Sequence, residues 1–268
     1  MPRLVAPIVT AALLALTACG REHVEANAFA WNGTVPAGGW LHLRNLQGRI
    51  TVDSSPSADV MVTATLHWHG NRGDVSFERR ALGNDMLICS MYGKGGVCDT
   101  SGYAATPHRH GVNIVGLHLS GGNARVDYLV RVPPGVKVDV STVQGAVLVS
   151  GATSAVTAHT VDGSVGVQTA SGPVDLHTVN GSVKASVAAV SNPDDIRIET
   201  VNGSVRAQLP ATLQGAFDLE TVNGSIRSDF PLASSGSEHH HLTGTIGTGG
   251  GGVNVKTVNG SVTLTKGT

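Results

Sequence analysis

The hexapeptide TVNGSV, at residues 178–183, recurs in identical or nearly identical form along the second half of the chain, at 160–165, 200–205, 221–226 and 257–262. If the threonine marks each copy and Thr142 of a related STVQG is added, successive markers are separated by 18, 18, 22, 21 and 36 residues. Internal periods of this length are typical of proteins that stack one unit on the next. Because the last interval is twice the first, we expect one coil there to have lost its signature or to have been replaced.

Apolar and polar residues alternate on both sides of each copy. Val174 and Leu176 precede the first exact copy, and Val183 and Ala185 follow it in the opposite parity. A period of two predicts strands with one buried face. The change of parity at Asn-Gly predicts that the chain bends there and keeps the same face inward.

Two architectures satisfy this pattern. In an antiparallel meander, Asn-Gly forms a two-residue hairpin turn and Thr178 faces Val183. In a parallel β-solenoid, Asn-Gly forms a corner and Thr178 lies beside Thr160 and Thr200. The change of parity in the apolar positions is the same in both architectures, so it does not distinguish between them. The near-identity of the copies favours the solenoid, because stacking places each residue on its counterpart.

The residues at the corner have a predicted structural role. Glycine adopts a positive φ at little cost, and asparagine tolerates it better than most residues. Stacked asparagines would also form a ladder of side-chain amides, with a glycan-binding edge as the functional alternative. The predicted turn residues are Asn180, Gly181, Asn202, Gly203, Asn223, Gly224, Asn259 and Gly260.

The pattern predicts an all-β chain with one domain, a single-stranded right-handed parallel β-helix over residues 39–268. The segment 41–52 shows the same switch around Gln47-Gly48, so the solenoid is expected to begin there. Residues 54–123 are less regular and are interpreted as an insertion, which makes the N-terminal half irregular. Residues 124–268 are expected to form the regular coils.

The first 18 residues predict a secretory signal, in which Arg3 precedes an apolar run. This run is shorter than the ~20 residues that span a bilayer. The sequence LTAC at 16–19 looks like a bacterial lipobox, which predicts cleavage before Cys19 and acylation of its thiol. Residues 19–38 would then be a lipid-anchored tether, because more than one acyl chain gives stable anchoring. An ordinary signal with an incidental cysteine is the alternative.

Charge and cysteine content restrict the partners and the compartment. The formal net charge is −1, with 18 basic and 19 acidic residues, which argues against nucleic acid as a partner. Cys89 and Cys98 bracket a glycine-rich stretch, and exported proteins occupy oxidising compartments, so a disulfide is expected between them. A metal site would need further ligands nearby.

Candidate chemical groups are sparse, and no cofactor, metal or catalytic residue is predicted. Three segments contain histidines that could bind metal, at 67–69, 108–110 and 239–241. None of them has an evident third ligand. Asp194-Asp195 is the one acidic pair after the signal and follows Asn192-Pro193 in an expected loop. Asp162 replaces the corner asparagine. The clustered carboxylates of a polysaccharide-cleaving β-helix are therefore not evident.

The segment VRVPPGV at 130–136, the following STVQG and the serial TVNGSV units resemble the putative-adhesin family of bacterial envelope β-strand-repeat proteins. The resemblance covers about residues 39–266. It implies a right-handed β-helix, an envelope location and no catalytic residues. We expect a non-catalytic, lipid-anchored scaffold whose partners are the membrane and envelope proteins or glycans. Gly20 after the cysteine predicts the outer membrane in a Gram-negative host. An envelope-stress sensor and a carbohydrate-active enzyme are the alternatives.

Substitution Cys19→Ser should release the protein from membranes, because it removes the thiol that would carry the lipid. Fractionation of cells that produce each form is the measurement. A variant that still sediments with the membranes would contradict the lipid anchor.

Overall fold

The computed structural model describes residues 21–94, 96–104, 124–190, 195–234, 240–248 and 251–267. Within these ranges the chain forms strands, turns and bends. The described part of the chain contains no helix long and apolar enough to cross a membrane. The predicted signal and Cys19 lie outside the described residues.

The strands are numbered in chain order. The first nine are β1 (Glu22–Gly33), β2 (Trp40–Arg44), β3 (Ile50–Ser54), β4 (Val60–His69), β5 (Val75–Leu82), β6 (Asp85–Tyr92), β7 (Val97–Asp99), β8 (Gly102–Ala104) and β9 (Ala124–Val132). Seven more follow as β10 (Lys137–Ser141), β11 (Val147–Ala152), β12 (Val156–His159), β13 (Val165–Thr169), β14 (Val174–Asn180), β15 (Val183–Val187) and β16 (Ile196–Asn202). The last are β17 (Val205–Pro210), β18 (Gly215–Asn223), β19 (Ile226–Ser228), β20 (Ala233–Ser234), β21 (His241–Ile246), β22 (Gly252–Asn259) and β23 (Val262–Gly267).

Two large sheets form the architecture. The ten-stranded sheet has the order β1-β4-β9-β3-β11-β13-β15-β17-β23-β19, and the eleven-stranded sheet has the order β20-β21-β18-β22-β16-β14-β12-β10-β2-β6-β5. Each coil gives one strand to each sheet, and the apolar residues of both sheets share one core. β7 and β8 form a separate two-stranded sheet.

Parallel stacking of the copies is confirmed, and the hairpin alternative is wrong. β14 and β15, on either side of Asn180-Gly181, lie in different sheets. Thr178 pairs with Thr200 in parallel register, and the Thr160 amide donates to the His177 carbonyl at 3.0 Å. The chain therefore turns a corner at each copy and continues in the opposite sheet.

The threonine of each copy joins its coil to a neighbouring one. The Thr178 hydroxyl is buried and donates to the Gly163 carbonyl at 2.8 Å, and Thr200 donates to Gly181 at the same distance. Thr257 and Thr221 repeat this bond with the glycines of their own neighbours at 2.8 Å. Each hydroxyl thus satisfies a corner carbonyl in the next coil, and a buried polar group without a partner is costly.

The corner asparagines form a continuous hydrogen-bonded ladder. Asn202 donates its side-chain amide to the Asn180 oxygen at 2.8 Å, and Asn180 donates to Asp162 at 2.7 Å. At the other end Asn223 donates to Asn259 at 2.8 Å, and Asn259 donates to Asn202 at 2.7 Å. All donors point toward Asp162. An ionised carboxylate only accepts, so aspartate fits the acceptor end of the ladder.

The corner glycines are required by close backbone approach, and the predicted positive φ is wrong. The φ angles of Gly181, Gly203, Gly224 and Gly260 lie outside the left-handed region. A Cβ at Gly181 would stand 1.9 Å from the Gly163 carbonyl oxygen, and one at Gly203 would stand 1.9 Å from the Gly181 oxygen. No side chain fits, because each glycine lies directly against the glycine carbonyl of the adjacent coil.

The order of the last two coils differs from the expected one. The strand of the final copy, β22, lies between β16 and β18, so Thr257 pairs with both Thr200 and Thr221. The interval of 36 residues contains β20 and β21 in place of a regular coil, since β21 runs antiparallel along the outer edge of β18. The chain then inserts β22 inside the stack. Near-identical copies make equivalent neighbours, so sequence identity does not determine their order.

The N-terminal part extends both sheets. Residues 22–33, expected to lie in a tether, form β1, which pairs antiparallel with β4. The expected insertion contains β4 to β8, of which β4 joins the ten-stranded sheet and β5 and β6 join the eleven-stranded sheet. Backbone hydrogen bonding along β4 incorporates β1, although the exposed side chains at the start of β1 give little sign of a strand.

Substitution Gly181→Ala should destabilise the protein by about 1–3 kcal/mol, the usual effect of overpacking a filled site. Gly181→Asn should be no milder, because the obstacle is space. A positive φ would instead favour asparagine. Gly166→Ala is the matched control, since its Cβ would meet only the Leu148 Cδ2 atom, at 3.0 Å. Urea denaturation measures all three, and a well-tolerated Gly181→Asn would contradict the steric account.

Candidate functional site

The outer side of the eleven-stranded sheet carries two columns of polar side chains, which together are called the polar face. Strand alternation directs every second residue outward, and the parallel register aligns these residues between coils. In stack order the first column is His42, Asp139, Thr157, Asp175, Arg197, Asn254 and Asp218. The second is Arg44, Ser141, His159, His177, Glu199, Lys256 and Glu220.

One end of the polar face is a buried ion cluster. The Arg44 guanidinium binds both carboxylate oxygens of Asp139, at 3.0 and 2.5 Å, and His42 Nδ1 lies 2.6 Å from the same carboxylate. The Arg44 side chain is only 4% exposed. Burial by itself raises the pKa of Asp139, but the hydrogen bonds from His42 and Arg44 outweigh it and hold the pKa below its usual value.

The disulfide explains why this end is buried. Cys89 on β6 is joined to Cys98 on β7, as the sequence predicted. Both cysteines pack with Leu87 and Met91 in a small second core. β6 pairs with β2, and the adjoining Thr100 carbonyl accepts a hydrogen bond from Arg44. The bridge therefore holds a covering segment over the first rung of the polar face.

The middle of the polar face brings two histidines and an aspartate together. His159 and His177 are direct neighbours on β12 and β14, with ring centroids 4.8 Å apart. Asp175 Oδ1 lies 2.7 Å from His177 Nε2, and Glu199 Oε2 lies 3.3 Å from His177 Nδ1. Burial, and next the proximity of His177, lowers the pKa of His159. The contact with His177 lowers the pKa of Asp175.

The other end is more exposed and is held by a lysine. Lys256 Nζ lies 3.2 Å from Glu220 and 3.7 Å from Asp218, and His241 Nε2 lies 2.7 Å from Asp218. The hydrogen bond with Glu220 raises the pKa of Lys256. In the described residues, each carboxylate of the polar face therefore lies beside at least one basic side chain.

Two shallow clefts adjoin these columns. The larger has a volume of about 510 Å³ and includes Trp40, Lys137, Asp175 and Arg197 in its lining. An aromatic and a cationic group lie together in this lining, since Lys137 Nζ lies 5.4 Å from the Trp40 ring centroid. The second, of about 300 Å³, continues past Arg197 toward Lys256. Both are open depressions in which flat or extended ligands could contact several coils.

The other histidines and acids that the sequence analysis named as candidates do not form a common site in the described residues. His67 contacts two acids through different ring nitrogens, Glu22 through Nδ1 and Asp127 through Nε2. Asp195 accepts a hydrogen bond from the Gly252 amide at 2.6 Å and lies in the lining of both clefts. His108, His110, Asp194 and His239 lie outside the described residues.

Two features were missed in the sequence. One is the His159–Asp175–His177 grouping, although each histidine directly precedes a marker threonine and stacking of threonines implies stacking of histidines. The other is an outer valine ridge from the second position of each copy. Its members are exposed by 39% at Val161, Val179, Val201 and Val258 and by 57% at Val222. The sequence pattern predicted polar residues at outward positions, so this apolar ridge beside the asparagine ladder was not expected.

Stacked parallel coils with a polar outer face define a repeat protein of the β-solenoid-like class. The family model described as Toastrack DUF4097 matches residues 40–265. The chain therefore belongs to the Toastrack DUF4097 family. This confirms the family resemblance found in the sequence. No curated protein matches the chain.

Two solved structures show weaker likenesses. A putative cell adhesion protein from Clostridium sporogenes has 12% identity and a TM-score of 0.48, with 92% of this chain and 100% of that chain covered. A putative adhesin from Bacteroides fragilis has 9% identity and a TM-score of 0.28, with 89% and 96% covered. At these TM-scores neither likeness carries a functional inference.

Substitution Asp139→Asn should destabilise the protein by about 3 kcal/mol at pH 7, because it leaves the buried Arg44 without its counter-charge. The folded-state pKa of Asp139 lies below the ordinary value of 3.8. Its stabilising contribution is therefore complete above that value and is lost as pH falls through the folded pKa.

The difference between wild type and Asp139→Asn should accordingly shrink when urea denaturation is repeated near pH 3. Glu78→Gln is the control, because it breaks an exposed pair with Arg80 and should change stability by less than about 1 kcal/mol. An equal effect of the two substitutions at pH 7 would contradict a structural role for the buried cluster.

Proposed function

We propose that this protein is a non-catalytic cell-envelope scaffold, anchored by lipid at Cys19, that binds envelope glycans on its polar face. The stack itself is proposed to be a right-handed single-stranded parallel β-helix, the hand that parallel crossovers adopt in nearly all proteins. The outer membrane is the proposed location in a Gram-negative host. The signal and lipobox pattern of the first 19 residues supports the anchor.

The observation that carries the glycan proposal is the open cleft that contains Trp40. Sugars present apolar ring faces and many hydroxyls, which suit an aromatic surface bordered by charged hydrogen-bonding groups. Trp40 is half-buried, and Lys137 and Arg197 provide donors while Asp175 provides an acceptor in the same cleft. The cleft extends across several coils, which matches the length of an extended chain of sugars.

The arrangement of acids supports a non-catalytic role. Glycosidic cleavage needs two carboxylates on either side of the bond, one of them able to hold a proton at neutral pH. On the polar face, Asp139 is held by Arg44, and Asp218 and Glu220 are both close to Lys256. The pKa of Asp139 and that of Asp175 are lowered, which is opposite to the shift that a general acid needs.

The test compares two arginines of the same coil. Full-length protein in detergent is applied to an array of bacterial envelope glycans, together with the variants Trp40→Ala, Arg197→Ala and Arg206→Ala. Arg197 lies on the polar face, and Arg206 is exposed on the ten-stranded sheet. We expect the first two variants to lose at least tenfold in affinity and Arg206→Ala to bind as wild type.

Absence of binding to every glycan, or loss of binding in Arg206→Ala alone, would contradict the proposal. Release of a sugar fragment from a bound glycan would contradict the non-catalytic role. Circular dichroism of each variant controls for folding.

A further inference from the structure

The grouping of His159, Asp175 and His177 has the composition and position of a metal site. One ligand atom from each residue can be chosen so that all three atoms lie within 4.8 Å of one another. All three side chains are half-buried and project from adjacent strands of a continuous parallel ladder. The backbone hydrogen bonds of the stack thus fix the positions from which these side chains converge.

One atom of the grouping lacks a partner. His159 Nε2 is buried and has no hydrogen-bond partner among the described residues. Asp175 Oδ1 lies 2.7 Å from His177 Nε2, so these two residues are already held together. A buried polar atom without a partner costs free energy. A positive ion between the three residues would satisfy His159 Nε2, and Asp175 would supply it with a negative charge.

A further acid is placed where metal-binding histidines usually have a supporting contact. Glu199 Oε2 lies 3.3 Å from Nδ1 of His177, on the side of the ring away from Asp175. A carboxylate on the second nitrogen of a histidine fixes the orientation of the ring and strengthens the first nitrogen as a ligand. His177 therefore has Nε2 directed into the grouping and Nδ1 engaged outside it.

We propose that His159, Asp175 and His177 bind a divalent transition-metal ion of the zinc class. Two imidazoles and one carboxylate suit Zn²⁺ and its neighbours, whereas Ca²⁺ and Mg²⁺ prefer oxygen ligands alone. Ligand atoms of a tetrahedral zinc site lie about 3.3 Å apart, given bonds of about 2.0–2.1 Å. The three ligand atoms lie within 4.8 Å of one another in the structure, so a bound ion would draw them closer together.

The ion would join two successive coils and keep a position for a further ligand. Since the three donors come from β12 and β14, the metal connects the strands on their outer side. No fourth histidine, cysteine or acid of the described residues belongs to the grouping. Three protein ligands leave a tetrahedral ion one position for an oxygen ligand from outside, such as a carboxylate or a pair of sugar hydroxyls.

The test measures binding of ZnCl₂ to tag-free, chelator-treated full-length protein in detergent by isothermal titration calorimetry. Wild type should bind one equivalent more than His159→Ala, His177→Ala or the nearly isosteric Asp175→Asn. Glu199→Gln should retain the site with an affinity lower by about 10- to 100-fold, as supporting contacts usually give.

His67→Ala is the matched control, because His67 contacts two acids through different nitrogens and should leave zinc binding unchanged. Melting of each variant without metal separates misfolding from loss of the site. Equal zinc stoichiometry in wild type, His159→Ala and Asp175→Asn would overturn the proposal. The glycan array tests a separate claim, since glycan binding by the chelated protein is independent of the metal.

Discussion

The structure depends on the hydrogen bond from a buried threonine hydroxyl to a glycine carbonyl in the neighbouring coil. Between Thr200 and Gly181 this bond is 2.8 Å long, and it occurs where a Cβ on the glycine would collide with the backbone of the adjacent coil. The glycine leaves no space for a side chain, so its carbonyl needs a donor from the adjacent coil. Threonine supplies that donor, and its β-branched shape suits a strand. The two residues therefore have to recur together, with the corner asparagine between them.

The same constraint shows how far the sequence determines the fold. The two-residue period and its reversal at Asn180-Gly181 predicted the strands and the corner, because both follow from burial of one face. The near-identity of the copies, and not the period, predicted the parallel register. The reason for glycine was not predictable, because a tight turn and a close backbone approach select the same residue. The position of the last coil in the stack was not predictable either, for a different reason. Thr257 can satisfy the carbonyl of any corner glycine, so exact repetition removes the information that would set the order.

The polar face follows from the register, although its chemistry does not. Once threonine stacks on threonine, the residue before it must also stack, so the contact of His159 with His177 was implicit in the sequence. The contact of Asp139 with Arg44 was not implicit in the sequence. These residues are far apart in the chain and meet only where a long insertion returns to the stack. Sequence periodicity therefore locates groups within regular coils, whereas groups at the junction with irregular segments require coordinates.

Rigid stacking also determines what kind of site such a protein can build. Adjacent parallel strands lie about 4.8 Å apart, so outward residues at one position form a row with fixed spacing and little freedom. A row of identical residues gives a ladder, as the asparagines do, and a substitution within the row creates local chemistry. Asp162 ends the asparagine ladder in this way, and His159 and His177 interrupt a column that otherwise carries charged and small polar residues. Local departures from the repeat are therefore where specific binding can arise, while the repeat itself supplies the framework that holds them.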